Sequence, residues 1–126
     1  MITPIAEIID RLSIVTLKKN HDSENLEILK EWDIYNSEFI TYCIRNKELE
    51  VTLVNAQEQL FEINGKIWTL ESDIRKGKEN ELGLEEVGRR AIAIRELNKQ
   101  RINVKNAITV LTNQGHKEIK IDHASE

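Results

Sequence analysis

Two stripes of basic, amide and aromatic side chains are the residues of this chain best equipped for chemistry. Phe61, Asn64, Trp68, Glu71 and Arg75 recur at spacings of three and four, and Ala91, Arg95, Asn98, Ile102 and Lys105 repeat that spacing later in the sequence. In a helix, each set falls on one face. Guanidinium forks match phosphate geometry and aromatic rings stack on bases. Arg75, Arg95, Arg101 and Lys105 therefore read as anion contacts and Trp68 as a stacking platform, with Trp32 or Tyr35 as further rings. Asn64, Asn98, Arg11 and Lys18 complete the polar lining of such a site. The ligand implied is phosphate-bearing and nucleotide-like. The competing reading is a second packing surface, against the first helix or across a dimer. For Arg101, which cannot lose its charge, the internal solution is an ion pair, with Asp10 the natural partner.

Catalytic signals are weaker. The sequence holds no Gly-rich phosphate loop, no H-E-x-x-H, no paired C-x-x-C and no nucleophile elbow. Cys43, the single cysteine, lies in an aromatic-rich segment where a small buried hydrophobe explains it. His21 falls at a helix end, where capping and the dipole account for it, and His116 and His123 are too few for a metal site. Glu7 with Asp10, and Glu24, Glu27 and Glu31, have spacings able to line up carboxylates for Mg²⁺, as in all-α nucleotide pyrophosphohydrolases. The ordered acidic motifs of those enzymes are missing, and helix-surface acids explain the residues equally well. We therefore expect no cofactor and no resident metal.

The elements that must position these residues are helices. Thr3 followed by Pro4 is a helix-start signal, and Ile5, Ile8, Ile9, Leu12 and Val15 give a first helix over about residues 3–20. Asn20 to Ser23 make a polar turn, and a second helix starts near Asp22 or Ser23. Its stripe of Ile28, Trp32, Tyr35, Phe39, Tyr42 and Leu49 holds four of the six aromatic residues, which suits a helix meeting more than one neighbour. The second and third helices divide at Asn46 or at Val51 and Thr52. Leu53, Ala56, Leu60, Ile63, Ile67, Leu70 and Ile74 form a coiled-coil-like seam in the third helix. Gly77 closes that helix, residues 77–83 are a loop, and a fourth helix runs from Leu84 to Asn113 with Gly115 as its stop. Its heptad seam, Val87, Arg90, Ile94, Leu97, Arg101, Val104, Ile108 and Leu111, carries two arginines. The fold expected is all-α: an antiparallel bundle of one short and three long helices. Residues 1–115 form the domain and 116–126 a flexible tail.

Composition bounds the rest. The 126 residues hold 18 Lys and Arg against 22 Asp and Glu, with five Gly and one Pro. Such a chain is neither collagen, linker nor disulfide scaffold. A net charge of −4 gives no general pull toward nucleic acid or an anionic membrane. With no run long enough to span a bilayer and no basic, apolar leader, a cytoplasmic protein is expected. Charge is uneven: residues 22–50 sum to −5 and residues 89–105 to +5. Complementary rims of packed second and fourth helices would account for this. The apolar faces exceed what one short helix can cover, so a homo-oligomer is expected, a dimer being the simplest.

The segments IIDRLSIVTLK (8–18), KIWTLESDIRKG (66–77) and IRELNKQRINVKNAI (94–108), 38 residues together, resemble a loose group of small helical proteins of bacteria and their phages. The resemblance implies an all-helical fold and marks Asp10, Arg11, Lys18, Trp68, Arg75, Asn98 and Arg101. Small phage-encoded helical oligomers include sponges for the nucleotide signals of host defence, an analogy of class only.

Overall fold

The computed structural model describes residues 3–75 and 82–114, and among these the chain is an all-α bundle. Helix α1 spans Ile5–His21, α2 Leu26–Arg45, α3 Glu50–Arg75 and α4 Leu84–Thr112, with a single 3₁₀ turn, Lys47–Leu49, joining α2 to α3. Most of the predicted loop (77–83) and the predicted tail (116–126) lie outside the described residues.

The starts differ from the sequence expectation for local reasons. The N-cap residue of α1 offers no side-chain hydrogen bond. Pro4 is the N-cap residue, and its carbonyl accepts from the Glu7 and Ile8 N–H groups at 3.0 and 3.2 Å. A distant residue supplies a further cap, since the Ile5 N–H donates to Gln114 Oε1 at 3.0 Å, satisfying one of the orphan donors of the first turn. Helix α2 starts at Leu26, three to four residues later than expected, because Asn25 is its cap and accepts from the Glu27 and Ile28 N–H groups at 3.0 and 3.3 Å. Asn46 ends α2. At the end of α4 the stop comes before Gly115: Asn113 takes the left-handed conformation, with φ 54°. Asn tolerates that region better than other non-glycine residues. Asn113→Gly should therefore stabilise the chain by about 0.5–1 kcal/mol, and Asn113→Val should destabilise it by about 1 kcal/mol, in urea melts.

Helix α1 is the centre of the bundle. Nine of its seventeen residues are buried, Ile5, Ile8, Ile9, Leu12 and Val15 together with Ala6, Asp10, Ser13 and Leu17. They lie on more than one face, so neighbours surround the helix. Helix α1 packs against α2, α3 and α4, and α3 packs along α4. The directions alternate along the chain. Trp32 of α2 reaches Thr16, Asn64 and Trp68 of α3 reach Asp10 and His21, and Arg101 and Gln114 of α4 reach Asp10 and Ile5. The deepest core is Ile9, Val15, Leu53 and Leu60, with Phe39 and Cys43 of α2 closing it.

The aromatic helix α2 meets two neighbours, packing mainly on α1 and more sparingly on α3. One packing expectation is corrected. The complementary charges of α2 and α4 do not form a packed interface among the described residues; the α4 cations turn to α1 instead. The heptad seam of α4 is also only part of its buried surface. Lys105 and Thr109 are buried whereas Leu111 is 40% exposed, because a straight helix drifts by about 20° per heptad and α1 packs on the flank of the α3–α4 pair. No described helix is long and apolar enough to cross a membrane.

Candidate functional site

Two arrangements bring the chemically capable residues together. The first is a polar network inside the bundle. Asp10, 2% exposed, holds Arg101 in a fork: Arg101 Nε donates to Oδ1 at 3.0 Å and Nη2 to Oδ2 at 2.6 Å. Asn64 Nδ2 donates to Asp10 Oδ1 at 3.1 Å and to Ser13 Oγ at 2.7 Å, while Ser13 Oγ donates to the Asp10 carbonyl at 2.6 Å. Lys105 Nζ lies 2.8 Å from Glu7 Oε1 and 3.8 Å from Asp10 Oδ2. The spacing explains the construction: Glu7 and Asp10 are three apart on α1, Arg101 and Lys105 four apart on the antiparallel α4, so two acids meet two bases in register. Their charges cancel. A buried charge requires this, since an unmatched one costs several kcal/mol. The arrangement orients helices and closes Asp10 off from solvent.

The second arrangement lies toward the other end of α1. The His21 and Trp68 rings stack, their centroids 4.8 Å apart and their planes within 5°. They line a cleft of about 520 Å³ with Leu17, Gly65, Thr69, Ser72 and Arg90. Arg90 comes from the start of α4, held by Glu86 (Nε to Oε1, 3.3 Å) and by the Leu70 carbonyl (Nη1, 3.4 Å). Hydrogen bonds from Arg89 and then Arg90 keep the Glu86 carboxyl below the usual carboxylate range, so it stays an anion and keeps Arg90 in place. The volume suits a small ligand. The lining combines a ring stack, two hydroxyls and a guanidinium, able to take a planar group and an anionic one together.

The predicted site residues therefore divide. Asn64, Arg101 and Lys105 converge on Asp10, and Trp68 lies one turn beyond Asn64 beside His21. Arg95 and Asn98 are half-buried on α4, and Arg11 and Lys18 are exposed on α1. Arg75 ends α3, and its side chain lies outside the described residues. Trp32 is engaged elsewhere: its Nε1–H donates to Thr16 Oγ1 at 3.0 Å, and Lys19 Nζ sits 3.7 Å from the ring centroid. The mixed flanks of α3 and α4 thus serve in part as the surfaces that receive α1, the packing alternative seen in the sequence. His21, expected as a cap, stacks on Trp68.

Other candidates for chemistry are muted. Burial, and then the Glu50 charge, push the Cys43 thiol up, which disfavours the reactive thiolate. Burial first, then Glu48 and Cys43, raise the Tyr42 phenol likewise. Glu7 and Asp10 already face cations, and no His, Cys, Asp or Glu group suited to a metal ion occurs among the described residues. His21 and Arg90 were not read as ligand contacts in the sequence. The available signal was weak: His21 lies about three helical turns along α1 from Asp10, and nothing local pairs it with Trp68. No protein-family model, curated protein or solved structure matches the chain.

Proposed function

We propose that this chain is a non-enzymatic binding protein that captures a small phosphate-bearing, nucleotide-like ligand in the cleft between His21, Trp68 and Arg90. The observation that carries this reading is the stacked His21–Trp68 pair beside an anchored guanidinium, at the edge of a cleft of about 520 Å³. Arg101 and Lys105 are better accounted for as structural charges, since Asp10 and Glu7 already neutralise them. A ligand phosphate there would have to compete with two carboxylates, one of them 2% exposed, whereas at Arg90 it competes with the solvent-accessible Glu86. A protein of this kind acts by sequestration, as a sponge for a nucleotide signal would.

Calorimetric titration with linear and cyclic nucleotides at one fixed salt concentration tests the reading. Arg90→Ala should weaken binding by about 10- to 150-fold, the value of a charged hydrogen bond. Trp68→Ala should weaken it at least as much, while Arg101→Met paired with Asp10→Leu should leave affinity unchanged. Absence of heat with every nucleotide would instead favour the second reading, a helical adaptor for protein partners. That reading draws on Ile34, Ile40 and Ile44, which are 57, 48 and 61% exposed on α2.

A further inference from the structure

The face of the α3–α4 pair turned away from α1 is a continuous groove. One cavity of about 530 Å³ is lined by both helices from Thr52 and Leu111 upward, and a second of about 370 Å³ extends it as far as Lys66 and Gln100. The two share Gln59, Asn103 and Val104, and every lining residue belongs to α3 or α4. From Thr52 to Lys66 the groove runs about 21 Å at 1.5 Å per residue, roughly four turns of a helix.

Its chemistry differs from the rest of the surface. In a chain that is 32% charged, Glu62 and Lys66 are the two charged residues lining either cavity, and they bond each other at 3.3 Å. The rim is made of amides, Asn55, Gln59, Gln100 and Asn103, and Ala56 and Ala107 lie between them. Small residues let another helix approach closely. Leu111, 40% exposed, adds apolar surface at one end.

We infer that this groove is the contact between two copies of the chain, packed face to face about a twofold axis so that two α3–α4 pairs form a four-helix layer. Self-complementarity is the reason to choose a second copy over another partner. In a twofold interface each patch meets itself. An amide carries both donor and acceptor and can pair with its own copy, whereas a rim of one charge repels its copy. Glu62 and Lys66 fit the same rule, because each can face the opposite charge of the other copy. Over the roughly 21 Å of the groove, two helices side by side each about 10 Å across present about 420 Å² per copy, the size of a small, reversible contact, so the dimer is expected toward the upper end of the concentration range.

The test is the mass of the full chain in solution by sedimentation velocity and light scattering, over a wide concentration range. The expected result is twice the chain mass of 14.6 kDa. Ala107→Glu and Asn103→Glu each set two like charges against each other across the axis and should weaken the dimer by at least about 100-fold, with circular dichroism unchanged. Ile40→Glu, on the exposed face of α2, should leave the dimer intact. A monomer at every concentration overturns the inference. So does a dimer that survives both groove variants, or one that Ile40→Glu dissociates. This contact stands apart from the ligand cleft, so Arg90→Ala should not change the mass.

Discussion

Replacing Asp10 with Ala should lower the stability of the chain by about 3–5 kcal/mol, because it removes the buried carboxylate onto which Arg101 forks. Asp10 accepts three hydrogen bonds from Arg101 and one from Asn64, and its Oδ2 lies 3.8 Å from Lys105 Nζ. Without it Lys105 keeps Glu7 at 2.8 Å, but the Arg101 guanidinium loses the carboxylate that it forks onto. For a chain of this length the loss corresponds to a melting point lower by roughly 10–20 °C. The remedy should be apolar. Asp10→Leu combined with Arg101→Met removes both charges and should recover most of the loss, since well-packed apolar replacements of buried pairs are often tolerated. A double-mutant cycle in urea at fixed protein concentration separates the pair from its surroundings. Additive single-site losses would mean that Asp10 and Arg101 do not act together.

This network also marks how far the sequence could be read. The helical class was legible because burial imposes its period on residue type: Leu53, Leu60 and Ile63 of the predicted α3 seam are all buried. So was the Asp10–Arg101 pair as one of two alternatives, because a guanidinium on an apolar line must be matched by something. What periodicity could not decide was which neighbour each face meets. Asn64, Trp68 and Lys105 are the residue types a nucleotide site would use, and equally the types that receive a polar central helix. The choice between them rests on contacts 54 and 91 residues apart in sequence. Surrounding α1 by three helices also hid the fate of Lys105 and Thr109, which a heptad places off the seam. Their burial follows from a second neighbour, and a one-dimensional pattern records how many faces a helix buries better than it records against what.

Leu60→Ala should be the most damaging apolar truncation on α3, at about 2–5 kcal/mol. Leu60 is fully buried, as are Ile9 of α1 and Leu53 of α3 in the same cluster. Removing its branched end leaves a void that rigid helix backbones on both sides can close only partly. The spread of that estimate is set by how far α1 can settle toward α3, and Asp10 opposes such a shift, since its fork with Arg101 fixes the height of α1 against α4. A value toward the upper end is therefore expected, and Ile9→Val, which removes one methylene in the same cluster, should cost about 0.5–1.5 kcal/mol. Ile34→Ala supplies the contrast: Ile34 is as apolar but 57% exposed on α2, and its truncation should stay within about 0.5 kcal/mol of neutral. Urea melts at one protein concentration measure all three, with unchanged m-values showing that only stability has moved. A loss below about 1 kcal/mol for Leu60→Ala, or an equal loss for Ile34→Ala, would place the core elsewhere than around α1.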